Sequence, residues 1–193
     1  KFIKSHMKFL EKYDNSKNVR FSCFKKTFDI CLNRKLKTIV ETGTARGKTK
    51  FFFLKKFNWK DGMSTPMFAE FVNYTNGTLH TCDISSKNID NAKKFTKSFS
   101  NNIKYYIQDS LDFLKEFNEK IDLLYLDSLD GHDVESASEH QLNEIKIAIN
   151  KLHDKSLILL DDKGSKTIKS VNYLLEKNYK IIFETDYQYL MSR

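Results

Sequence analysis

Asp127 in YLDSLDGHD and the Asp161-Asp162 pair in LILLDDKG have the types and spacing that most directly point to chemistry. If each segment ends a strand of one parallel sheet, neighbouring strand ends bring three carboxylates to one point. Oxygen-only donors favour a hard cation, Mg²⁺ or another divalent ion of that kind, which keeps several waters or takes substrate oxygens. Such an ion lowers the pKa of a bound hydroxyl and orients it for attack. In the alternative reading, Asp162 caps the following helix and Asp127 touches a cofactor. His132, in the loop after Asp127, is a further catalytic candidate, because a neutral imidazole beside the metal serves as a base near pH 7. Its other reading is a solvent-facing loop histidine. His80 reads as a strand residue, His140 as a helix residue at the surface or in the core, and His153 as a loop residue, none of them catalytic.

A second set of acids accompanies a glycine turn. Glu41-Thr42-Gly43-Thr44-Ala45-Arg46-Gly47 has the form E-x-G-x-x-x-G. Its glycines let the backbone bend sharply and approach a ligand. The turn matches neither a G-x-G-x-x-G dinucleotide turn nor a P-loop. Asp83, with Ile84 beside it, is placed to accept hydrogen bonds from a ribose diol. Asp109-Ser110 is placed to hydrogen-bond an adenine. Acids gathered on one rim repel and raise one another's pKa, so a cation, a hydroxyl-rich ligand or both must compensate them.

These residues need a parallel sheet to hold them. Short apolar runs alternate with longer helical stretches, which predicts an α/β fold: a Rossmann-like, doubly wound, mainly parallel sheet of about seven strands with helices on both faces, plus N-terminal helices. Strands are predicted at 37–41, 78–84, 103–108, 121–127, 156–162 and 179–185, with a seventh at 187–191. Helices are predicted at 48–57, 88–99, 111–117, 136–152 and 166–177. Residues 1–36 form an N-terminal helical segment before a core over 37–193. An insertion at 58–76 carries a short helix from Pro66, with Ser64 or Thr65 as its cap.

The 193 residues fit a single domain. The chain starts at Lys1, which fits a processed chain or a domain cut from a longer protein. The net charge of +8 invites a polyanion, but only four of the 33 basic residues are Arg and the lysines are scattered, as AT-rich coding would produce. No apolar run approaches a membrane span and no secretory signal is read. Cys23, Cys31 and Cys82 fit neither a zinc site nor a disulfide framework, so the expectation is reduced core thiols in the cytoplasm.

Taken together, the first turn, Asp83 and Asp109 resemble the cofactor site of class I S-adenosylmethionine-dependent methyltransferases over roughly residues 37–184. The resemblance implies S-adenosylmethionine as cofactor, with Glu41, Gly43 and Gly47 at its methionine end, Asp83 at the ribose, Asp109 and Ser110 near the adenine, and Thr44 and Ile84 as further cofactor-binding residues. With the segment from Tyr125 to Gly164 added, the chain looks like the metal-dependent sugar O-methyltransferases of the macrocin type, and more loosely like catechol-type enzymes. That likeness implies Asp127, Asp161 and Asp162 on Mg²⁺, Asp127 as base, and a small-molecule or glycan acceptor. Catechol-type enzymes carry a Lys where this chain has Asp130. Two alternatives stay open: an RNA ribose 2′-O-methyltransferase, whose Lys-Asp-Lys-Glu set would draw on Lys48, Asp127, Lys163 and Glu184, and a non-catalytic methyltransferase-like module.

Overall fold

The computed structural model describes residues 7–45, 48–51, 54–57, 59, 63–129 and 133–193. Its strands are β1 (Thr38–Thr42), β2 (Lys48–Phe51), β3 (Leu54–Phe57), β4 (Thr78–Asp83), β5 (Ile103–Ile107), β6 (Ile121–Leu126), β7 (Leu152–Asp161), β8 (Lys180–Glu184) and β9 (Gln188–Ser192). The helices are α1 (Phe21–Arg34), α2 (Ser64–Thr75), α3 (Ser86–Phe95), α4 (Ser110–Glu116), α5 (Val134–Ala148) and α6 (Thr167–Glu176). Seven strands form one sheet in the order β5-β4-β1-β6-β7-β9-β8. Its first five strands are parallel, and β9 runs antiparallel between β7 and β8.

The central strands are apolar on both sides because both faces of the sheet are covered. Side chains alternate along a strand, so Leu123 and Tyr125 of β6 enter one core while Leu124 and Leu126 enter the other. In the same way Leu157 and Leu159 of β7 face one layer, and Ile158 and Leu160 the opposite one. The first layer is aromatic: Phe24 and Phe28 of α1 pack on Phe68 and Phe71 of α2, with Phe28 and Phe71 stacked at 4.6 Å. Among the buried residues of α1, Phe21, Phe24, Phe28 and Cys31 recur at three- and four-residue steps, with Cys23 and Thr27 beside them, and so form one stripe. α4, α5 and α6 cover the second face through Phe113, Leu114, Ile145 and Leu174.

Several expectations are corrected. Residues 48–57 were expected to be helical, but β2 and β3 form an antiparallel pair outside the main sheet, Lys48 opposite Phe57 and Phe51 opposite Leu54. Thr49 and the phenylalanines from Phe51 favour an extended backbone. Within the segment expected as an insertion, α2 is the helix that leads from this hairpin to β4. Ser64 and Thr65 do not cap α2. Met63 holds the N-cap position, and both hydroxyls turn to Glu41 instead. In the N-terminal segment, the described part holds one full helix, α1, preceded by a 3₁₀ turn at Lys8–Tyr13. All three cysteines are buried and free. Among the described residues no helix is long and apolar enough to cross a membrane.

Candidate active site at the carboxyl edge of the sheet

Strand order reverses at β1. The chain runs outward from β1 to β4 and β5, then returns to lay β6 on the other side of β1. Open α/β sheets bind ligands at the carboxyl ends of the strands beside such a reversal. Gly43 follows β1 there, and Asp127 follows β6. The Gly43 amide donates to the Cys82 carbonyl at 2.9 Å, and the Asp127 amide donates to the Thr42 carbonyl at 2.9 Å. Gly43 has φ +84°, and a Cβ on it would lie 2.1 Å from the Asp127 carbonyl oxygen. Only glycine fits, both for its backbone angle and for this approach. The first turn and the Asp127 backbone are thus in direct contact.

A cleft of about 100 Å³ opens beside this contact, lined in part by Gly43, Asp83, Ile84, Asp109, Ser110 and His140. Sites for small molecules run to roughly 300–1,000 Å³, so the cleft accepts one end of such a ligand. Asp83 accepts from the Ser85 amide at 2.8 Å, the Thr44 amide at 3.2 Å and the Asn88 side chain, which ties the first turn to the start of α3. Ile84 stands 74% exposed at the cleft wall. Asp109 caps α4, accepting from the amides of Leu111 and Asp112. The Ser110 hydroxyl lies 2.9 Å from His140 Nε2. Buried Glu144, 3.6 Å from that nitrogen, raises the imidazole pKa against the opposing effect of burial.

Glu41 lies beneath this surface, fully buried. Its carboxylate accepts from the hydroxyls of Ser64 at 2.5 Å, Thr65 at 2.8 Å and Thr81 at 2.6 Å. Thr65 in turn accepts from the Ala45 amide at 2.8 Å. Thr81 donates to Glu41, so the 2.7 Å contact between Thr44 and Thr81 leaves Thr44 as its donor. Through these chains Glu41 fixes residues 44 and 45 from below. Burial pushes its pKa up to about 7, past the opposing pull of the three hydroxyls. Thr44 is buried in this network rather than lining the cleft. Gly47 and His132 lie outside the described residues.

The three aspartates do converge, but on protein cations. Arg20 Nε lies 2.7 and 2.8 Å from the two oxygens of Asp161, and its Nη2 lies 2.9 Å from Asp162 Oδ1. Lys166 Nζ lies 2.6 Å from Asp127 Oδ1 and 2.9 Å from Asp162 Oδ2. Burial would pull the Lys166 pKa down, yet Asp127 and Asp162 hold it above the ordinary lysine value. Asp127 is pushed well above the usual carboxylate range by burial and then by Asp161, with Lys166 pulling the other way. A divalent ion does not fit this arrangement, because nitrogen cations already occupy the oxygens it would need. Among the described residues no group of acids, histidines or cysteines is placed to hold a metal. The expected Mg²⁺ site on Asp127, Asp161 and Asp162 is therefore corrected. Nor does Asp162 cap α6. It sits at φ +59°, and its backbone carbonyl accepts from Ser165.

Sequence reading brought together Gly43, Asp83, Ile84, Asp109 and Ser110, but it missed Arg20, Lys166 and His140. Lys166 stands four residues after Asp162, a spacing that pairs charges over a helical turn and was a usable signal. Arg20 is 141 residues from Asp161, and no local pattern announces that pair. Lys163, considered for an RNA-type set, bonds Glu184 at 2.8 Å.

Comparisons with known proteins follow from this geometry. A family model described as "Methyltransferase domain" matches residues 59–163, more than half of the chain. That segment includes the three aspartates but neither Arg20 nor Lys166. A methyltransferase from Geobacter sulfurreducens is similar at TM-score 0.62 and 13% identity, over 97% of this chain and 85% of that one. The SAH-bound methyltransferase PaMTH1 of Podospora anserina is similar at TM-score 0.60 and 14% identity, over 86% of this chain and 76% of that one. An rRNA methylase from Streptococcus thermophilus is similar at TM-score 0.60 and 8% identity, over 88% and 95% of the two chains. At these identities the likeness is one of fold. No curated protein sequence matches the chain.

Proposed function

Because the chain belongs to the methyltransferase-domain family, we propose that it uses S-adenosylmethionine to methylate a hydroxyl oxygen of a sugar or glycan. One observation carries this reading: the first turn touches the Asp127 backbone at Gly43, so the cleft and the Asp127 carboxylate share one edge. The cofactor supplies an electrophilic methyl group when bound. Asp83 would hold its ribose, Ile84, Asp109 and Ser110 its adenine, and the bare Gly43 backbone gives it room. Asp127, 23% exposed at its side chain, takes the proton from the acceptor hydroxyl. The resemblance to macrocin-type enzymes supports a sugar acceptor, as does the exposed Tyr187 ring, 5.5 Å from the Arg20 guanidinium.

The reading is tested by calorimetry with S-adenosylhomocysteine and by transfer of labelled methyl groups to a panel of mono- and oligosaccharides. Binding with label on a sugar oxygen is expected. Failure to bind S-adenosylhomocysteine would refute the cofactor assignment.

A second reading, ribose 2′-O-methylation of RNA, is favoured by the Lys166–Asp127 contact, which supplies a lysine beside the aspartate as such a set requires. The Streptococcus thermophilus rRNA methylase shares the fold. Label appearing on RNA, with binding that weakens steeply as salt rises, would select it.

A further inference from the structure

We infer that Arg20 and Lys166 stand where metal-dependent enzymes of this fold carry a divalent cation, so that methyl transfer at this rim needs no bound metal. The inference rests on the reading above for the methyl transfer, while the placement of the two cations rests on the rim alone. Five of the six oxygens of Asp127, Asp161 and Asp162 lie within hydrogen-bond reach of a cationic nitrogen: both of Asp161, both of Asp162 and Oδ1 of Asp127. Among the described residues Asp127 Oδ2 is the exception, with the Tyr125 hydroxyl at 3.4 Å. We assign that oxygen to an acceptor hydroxyl.

The cations are built in, not adventitious. The Lys166 side chain is 3% exposed and that of Arg20 is 13% exposed. They come from opposite ends of the chain, Arg20 from the N-cap position of α1 and Lys166 from that of α6. Arg20 is held at its far side by α1, whose stripe is buried in the aromatic layer. A guanidinium cannot shed its proton to make way for a metal. Mg²⁺ demands near-octahedral oxygens, so it would have to expel both side chains and leave them buried without partners. Among the described residues, three carboxylates face these two cations. Lys166 bridges Asp127 and Asp162 and so acts as a positioning residue for the base.

Manganese binding to the full chain, followed by electron paramagnetic resonance of the free ion, tests this directly. Wild type is expected to leave millimolar Mn²⁺ free, and its methyl transfer is expected to persist in excess EDTA. Lys166→Met uncovers carboxylate oxygens and should raise Mn²⁺ affinity about tenfold, since ligand charge sets affinity in oxygen sites. Lys166→Arg keeps the charge and should remain silent to Mn²⁺ while restoring turnover that Lys166→Met loses. Arg20→Met offers the same gain of Mn²⁺ binding should Lys166→Met fail to fold. Saturable Mn²⁺ binding by wild type, or loss of activity in EDTA, would overturn the inference. Parallel titration with S-adenosylhomocysteine separates the two readings, because its failure would count against the cofactor and leave the metal result standing.

Discussion

Two buried carboxylates on the same sheet edge are neutralised in different ways. Glu41, after β1's core residues, is surrounded by three hydroxyl dipoles. Asp161, at the end of β7, is gripped by a guanidinium. Dipoles alone do not offset complete burial, so the Glu41 pKa climbs to about 7. A fixed cation carries a full charge into the site and does not titrate near neutrality. Glu41 can thus change its proton count near neutrality, whereas Arg20 and Lys166, the cations at the other end, keep their charge there. One end is a scaffold for backbone amides. The other is an electrostatic cage around Asp127, the base of the proposed transfer.

The contrast is broken most severely by Asp127→Asn. Turnover should fall about 10²- to 10⁴-fold, the range of a lost general base, while S-adenosylhomocysteine affinity holds, as read by single-turnover assay and calorimetry. Gly43→Ala strikes the point where the two regions touch. Its Cβ would meet the Asp127 carbonyl at 2.1 Å, and a cost of about 3 kcal/mol is expected in urea unfolding.

Glu41→Gln sharpens the comparison through pH. The folded pKa of about 7 lies above the ordinary 4.5. The proton is therefore favoured by folding, and this stabilisation is complete below pH 4.5 and lost as pH rises through 7. Between pH 5 and 8 wild type should lose about 2 kcal/mol relative to Glu41→Gln, seen as a narrowing or crossing of their melting curves. Asp83→Ala acts only on the cofactor end. It should weaken S-adenosylhomocysteine about tenfold and leave Mn²⁺ behaviour unchanged.

That Gly43, Asp83 and Asp109 line one cleft was legible because the determinants are local. Gly43 follows β1, Asp83 ends β4 and Asp109 follows β5 within two residues. The segment 48–57, expected as a helix, is a hairpin inserted into the crossover, and its strands pair with each other over four residues each, too short a range for a pattern of period to separate strand from helix. Ser64 and Thr65 looked like helix caps because a hydroxyl's partner is not written beside it, and Glu41 lies more than twenty residues away.

By itself the sequence determined the alternating α/β order, the two-sided burial of the central strands and the gathering of acids on one rim, since each follows from short-range pattern and the handedness of parallel connections. Only the tertiary structure decided what answers those acids. Charges attract through space regardless of chain distance, and a fold that wraps α1 back over the sheet delivered Arg20 to Asp161, where carboxylate spacing alone had pointed to a metal.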